Sequence, residues 1–130
     1  MTSPFTNPSA REAALFAQLP KTLAAAKQAA GWASILEQTQ PASVTSRHAL
    51  AKLPVTRKSD LKALQQAAMP FGGLTTTPNS GLKRLFMSPG PIFDPEGKGT
   101  DWWRAAPAFT AAGVVAGDVI HNCFSYHFTP

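Results

Sequence analysis

A single cysteine, Cys123, excludes an intrachain disulfide, and the simplest compartment for such a chain is the reducing cytoplasm. No apolar run approaches the ~20 residues needed to cross a bilayer as a helix, so no membrane partner is expected. Met1 to Pro8 lacks a basic stretch followed by an apolar one, and the expectation is a soluble intracellular chain without a signal peptide. Acidic residues are scarce: seven Asp and Glu stand against twelve Lys and Arg, for a formal charge of +5 over 130 residues. Such a balance can attract nucleic acid or phosphorylated ligands. The basic residues are scattered, however, with local pairs only at Arg57-Lys58 and Lys83-Arg84. No basic run is interleaved with aromatics as in single-stranded nucleic-acid binders. A solvated basic surface is the better reading, and a small nucleic-acid-binding protein stands as a third alternative.

Charged residues make up 15% and hydrophobic residues 44%, which permits a packed core and argues against wholesale disorder. The length suits one small domain or a piece of a larger one. Twelve prolines are spread along the chain without a PxxP repeat, and they read as punctuation between short elements. Residues 1–8 read as a flexible N-terminus. Ser9-Ala-Arg-Glu12 fits a capping box with Ser9 as N-cap. Leu15, Phe16, Leu19 and Leu23 then form an apolar stripe at helical spacing. Pro20 predicts two helices, or one with a sharp kink, and Gly31 suits a helix end. Trp32, Ile35 and Leu36 form a second apolar face, better read as core than as a ligand box. A short helix is expected from Ser43 to Leu53, stopped by Pro54. Another starts near Thr56 or Ser59, buries Leu61, Leu64 and Ala68, and ends at Met69-Pro70. The span 9–69 thus reads as helical.

The span 82–128 reads differently, as strand, loop, helix, strand. Leu82 to Met87 is a short apolar strand. Ser88 to Gly99 holds three prolines and three glycines and reads as a loop. Thr100-Asp101 caps a helix presenting Trp102, Trp103, Ala106, Phe109 and Ala112, with Pro107 inside it and Gly113 as its C′ residue. Val119 to Phe128 is the best strand pattern in the chain. This order implies a parallel β-α-β crossover in an α/β fold. A Gly-rich loop between strand and helix is where many proteins bind phosphate, because loop amides and the helix N-terminus point at the anion together. A lone parallel pair leaves its faces and edges uncovered, so the chain is expected to be the opening part of a larger enzyme.

Several segments in order carry a resemblance: Leu53-Pro-Val-Thr-Arg-Lys-Ser-Asp-Leu61, Pro70-Phe-Gly72, Arg84 before a Ser-Gly loop, and Ala112-Gly followed by Gly117-Asp-Val-Ile-His-Asn122. From about Ser9 to Thr129 the chain resembles the N-terminal region of phenylacetate–CoA ligase-like enzymes, in the adenylate-forming (AMP-forming) acyl–CoA synthetase superfamily. The resemblance implies a helical lead-in followed by the first β-α-β unit of that N-terminal domain. It implies a ligase that converts a carboxylic acid into an acyl-adenylate with ATP, and then into a thioester with coenzyme A, using Mg2+. The small-molecule partner would be an aryl or related acid, and a homodimer is allowed. Residues supplied by later sequence in that family are absent here, so these 130 residues alone are expected to be inactive.

Two parts of the site would be present. The family's Ser-Ser-Gly-Thr-Thr-Gly phosphate loop corresponds to Met87-Ser-Pro-Gly-Pro-Ile-Phe-Asp-Pro-Glu-Gly-Lys98, which assigns cofactor binding to Ser88, Gly90 and Lys98. Pro89 and Pro91 lack amide donors, and Asp94 and Glu96 bring negative charge. The alternative is therefore a non-catalytic homologue or binding domain whose loop has lost ATP. The family's His-Asn-x-Tyr-Gly-Tyr stretch resembles His121-Asn-Cys-Phe-Ser-Tyr-His-Phe128, which implies an acid pocket walled by Phe124, Tyr126 and Phe128. Period-2 alternation puts those three on one strand face, where core filling is the competing role. His121, Cys123 and His127 share the other face. On a straight strand residues 121 and 127 stand roughly 20 Å apart, too far to hold one ion, so no metal site is expected.

Overall fold

The computed structural model describes residues 7–123. Helix α1 (Pro8–Ala26) opens the chain. Its N-cap is Asn7 rather than Ser9, because Pro8 supplies a fixed φ at the first helical position and the Asn7 side chain accepts the Ala10 amide at 3.0 Å. Glu12 is consequently free of a capping role and pairs elsewhere. Pro20 lies inside α1, which continues through it as one helix. Leu19, Leu23 and Ala26, on either side of the proline, all pack on the same small core, so tertiary burial overrides the lost hydrogen bond.

Helix α2 (Ala30–Ile35) follows after a turn, and Gly31 lies in its first turn instead of ending the previous helix. Leu23, Leu36 and Val44 form the buried cluster, with Trp32, Ile35, Ala49 and Leu53 packed against it. A 3-10 turn at Pro41–Ser43 packs on α1. The expected helix over 43–53 shrinks to α3 (Arg47–Leu50), capped by Ser46, whose hydroxyl accepts the Ala49 amide at 3.2 Å. Helix α4 (Lys58–Ala67) has Arg57 at its N-cap with no side-chain cap bond; neither Thr56 nor Ser59 serves there. The residue α4 buries most completely is Gln65, while Ala68 is exposed.

The second half contains strands β1 (Arg84–Met87) and β2 (Phe93–Glu96). They pair antiparallel, Arg84 opposite Glu96 and Met87 opposite Phe93. The chain is thus mixed, a helical first half followed by a small sheet, as its patterning implied. Among the described residues the sheet is an antiparallel hairpin of β1 with β2, a pairing the patterning did not anticipate. Pro89-Gly90-Pro91 reverses the chain within three residues, and the segment expected as open loop becomes β2. Helix α5 (Ala106–Ala111) is shorter than expected, and Pro107 sits in its first turn, where a proline costs little. Gly113 is the C′ residue, with φ of 84°. Its amide reaches Thr110 and that of Val114 reaches Phe109, which is a Schellman closure. Residues 119–123 form no strand, and the remainder of the expected strand, 124–128, lies outside the described residues. No helix among the described residues is long and apolar enough to cross a membrane.

Candidate functional site

The hairpin is the expected phosphate loop, and its turn is closed by its own polar groups. The Ser88 amide donates to the Ile92 carbonyl at 2.9 Å, and the Ser88 hydroxyl accepts the Ile92 amide at 3.3 Å. Pro89 and Pro91 carry no amide hydrogen, which leaves Gly90 as the sole backbone donor between Ser88 and Ile92. Gly90 is exposed at the tip, and Lys98 is exposed beyond the other end of β2. The register puts all four pairs of the ladder between them, roughly 15–20 Å at ~3.4 Å per residue. Ser88 and Gly90 are therefore together, and Lys98 is not with them. As folded, the turn does not present the cradle of amides that a triphosphate needs.

The two acidic residues of this stretch also have defined places. Glu96 is buried, and its carboxylate meets Lys83 Nζ and Arg84 Nη1, each at 3.3 Å. Its negative charge is answered by the pair of cations that precede and begin β1. Asp94 lies opposite Phe86 in the ladder.

Alternate residues of a strand turn their backbone groups away from the paired neighbour, so β2 shows Phe93 and Pro95 to its outer edge. Gln65 of α4 closes that edge. Its side-chain carbonyl accepts the Phe93 amide at 2.8 Å, and its side-chain amide donates to the Phe93 carbonyl at 2.9 Å. Pro95 has no N–H to satisfy, and its carbonyl accepts the Trp102 indole N–H at 2.9 Å. A glutamine, a proline and a tryptophan thus block further strand addition. Gly97 makes room for this tryptophan, since a Cβ there would collide with the Trp102 ring. Trp103 meets Phe86 edge to face at 6.2 Å between ring centroids. The aromatics expected on the helix after Thr100 instead brace the hairpin. Sequence patterning missed Gln65, because a polar residue between Leu64 and Gln66 reads as solvent-facing; only its contact with a distant strand gives it a role.

A second junction joins α2 to the segment after the cis Met69–Pro70 bond. The Gly31 amide donates to the Gly73 carbonyl at 2.8 Å, and the Trp32 indole donates to the Leu74 carbonyl at 2.8 Å. Gly72 and Gly73 both have positive φ, 66° and 67°, which brings their carbonyls against Gly31.

Away from the hairpin, residues of α1 and α3 line two open cavities. One of about 830 Å3 is lined by Glu12, Phe16, Pro20 and Thr45 to His48, among others. A second of about 400 Å3 is lined by Arg11, Leu15, Leu19, Leu50 and Arg104, among others. Glu12 and Arg47 border both. Arg47 grips the Glu12 carboxylate with both ends of its fork, Nε to Oε1 at 2.6 Å and Nη2 to Oε2 at 2.8 Å. That hydrogen bonding holds the Glu12 carboxyl below its usual range and raises Arg47 above its own. A carboxylate lowered on folding contributes stability above its unfolded pKa, and loses that contribution as pH falls through the folded value. An NMR titration of the Glu12 carboxyl carbon is expected to give a midpoint below 4.5, and Arg47→Ala to bring it back.

The expected acid-pocket residues and the neighbours on the opposite face of that stretch, for which no metal site is expected, divide. His121 and Cys123 are exposed, whereas Phe124, Tyr126, His127 and Phe128 lie outside the described residues. Among the described residues no group of three or more His, Cys, Asp and Glu gathers as a metal ligand set.

No family model matches the chain, and no curated protein matches it. Solved structures do. The chain is similar to 2-hydroxyisobutyryl-CoA ligase in its postadenylation state in complex with R3-HIB-AMP, at 26% identity and a TM-score of 0.72. That match covers 87% of this chain and 25% of the ligase. It is also similar to 2-hydroxyisobutyryl-CoA ligase in complex with 2-HIB-AMP and CoA in the thioesterification state, at 26% identity and a TM-score of 0.66. There the match covers 79% of this chain and 23% of the ligase. The chain thus spans about a quarter of the length of the ligase chains it matches. These likenesses match the fold to part of an adenylate-forming enzyme's N-terminal domain, and they support the superfamily rather than its phenylacetate–CoA ligase-like member.

Proposed function

We propose that this chain forms the N-terminal part of an AMP-forming carboxylate–CoA ligase of the phenylacetate–CoA ligase-like kind, acting in the cytoplasm on an aryl or related small acid. The observation that carries the reading is the likeness to an acyl–CoA ligase over 87% of the chain. Among the described residues, most of the exposed large apolar side chains come after residue 84, including Leu85, Met87, Trp103, Phe109, Val115 and Val119. Surfaces of this kind mark contacts with further protein, and in this reading the rest of the ligase covers them. ATP, Mg2+ and coenzyme A would then be held largely by residues outside this chain. Ser88 and Gly90 would edge the nucleotide site from the hairpin tip, with Lys98 at its far end, and Phe124, Tyr126 and Phe128 would wall the acid pocket. The 130-residue chain alone would be inactive.

The test is product formation. The full-length protein, given ATP, Mg2+, coenzyme A and a panel of aryl, fatty and 2-hydroxy acids, is expected to yield an acyl–CoA detectable by mass spectrometry. A folded protein that forms no thioester with any of them refutes the reading.

The closed turn at Ser88 favours a second reading, a non-catalytic homologue or binding domain that keeps the fold and has lost ATP. In that case the full-length protein shows no saturable Mg-ATP binding by calorimetry, whereas the ligase reading requires it.

A further inference from the structure

The cavity of about 400 Å3 is bordered by three arginines, Arg11, Arg47 and Arg104, and one carboxylate, Glu12. Arg47 is committed to Glu12 through both ends of its fork. The guanidinium groups of Arg11 and Arg104 have no hydrogen-bond or ion-pair partner among the described residues. Two exposed positive charges on one cavity are therefore unanswered among the described residues. Arg104 is held there by an unusual backbone: its φ of 54° makes it the one non-glycine with positive φ among the described residues. Asp101 fixes that turn, its carbonyl accepting the Arg104 amide at 3.0 Å and its carboxylate accepting the Ala105 amide at 2.8 Å. Conformations of this kind persist only where the surroundings over-determine them. Leu15, Leu19 and Leu50 supply apolar wall beside the two cations.

We infer that this cavity binds a phosphate monoester bearing an apolar group, the phosphate between Arg11 and Arg104 and the apolar part against the leucines. A phosphate monoester near neutral pH carries close to two negative charges, which matches the two free guanidinium groups; a carboxylate would answer only one. The planar fork of arginine suits phosphate oxygens. The volume falls within the ~300–1,000 Å3 of small-molecule sites. The site does not depend on the ligase reading, since none of its residues belongs to the hairpin.

The test is calorimetric titration of the full-length protein with 1-naphthyl phosphate at low ionic strength. Saturable one-to-one binding is expected, at least tenfold weaker in Arg11→Ala and in Arg104→Gly. Glycine tolerates the positive φ at 104, so that variant keeps the turn, and circular dichroism checks its fold. Inorganic phosphate and 1-naphthoate are each expected to bind at least tenfold more weakly than the ester. Lys62→Ala, exposed on α4 and outside the cavity lining, is expected to change affinity less than twofold. The inference is overturned by absence of saturable binding or by affinity unchanged in both arginine variants. Equal binding of inorganic phosphate or naphthoate, or a loss in Lys62→Ala as large as in the arginine variants, overturns it equally.

Discussion

Gly31→Ala is expected to destabilise the chain by about 3 kcal/mol, the upper end of the usual overpacking cost. A Cβ at Gly31 would fall inside contact distance of the Gly72 carbonyl oxygen and lie 2.9 Å from that of Gly73. Both obstacles are backbone atoms of residues at positive φ, so neither can rotate aside as a side chain would. Yielding would stretch the 2.8 Å bond from the Gly31 amide to Gly73 and pull Leu74 away from the Trp32 indole. Small domains have only ~5–15 kcal/mol in all, so a loss of this size is conspicuous in urea denaturation. Gly99→Ala is the control: nothing lies within 4 Å of a Cβ there, and a change within about 0.5 kcal/mol is expected.

Gln65→Ala is expected to cost about 2–3 kcal/mol, because it leaves both the amide and the carbonyl of Phe93 without their partners, each worth roughly 1–3 kcal/mol when buried. Phe93 is half-buried, which keeps the sum near the lower end. The effect should be local as well as global. Amide exchange at Phe93 is expected to accelerate, whereas the Ser88 amide, bonded within the turn to Ile92, keeps its protection. Gln65→Glu should fall between wild type and Gln65→Ala. It retains an acceptor for the Phe93 amide, but it sets a carboxylate oxygen against the Phe93 carbonyl. Equal loss of protection at Phe93 and Ser88 would mean that the hairpin opens as a unit and that Gln65 is not its clamp.

What patterning revealed about this fold was local. The apolar stripe of α1, the short apolar strand at Leu85-Phe86 and the glycine that closes α5 are signals that neighbouring residues carry by themselves. Contacts between distant segments were not legible. Gly31 has the look of a helix terminator, and only the carbonyls of Gly72 and Gly73, some forty residues later, explain why it lacks a side chain. Phe93-Asp-Pro-Glu96 has the composition of a loop. It is a strand because one edge pairs with β1 and the other is completed by Gln65 and Trp102, which makes the proline tolerable. The same hairpin separates Lys98 from Ser88 and Gly90, which the linear motif had put within one loop. At the candidate site, the linear motif gave no sign that its residues fold back as a hairpin.

The central claim is that this fold serves carboxylate activation, and the first half-reaction tests it without reference to coenzyme A. Carboxylate-dependent exchange of labelled pyrophosphate into ATP should be measured with the full-length protein, Mg2+ and a panel of aryl and 2-hydroxy acids. The account predicts exchange above the acid-free background with at least one acid. Background exchange with every acid, from folded protein, would contradict it.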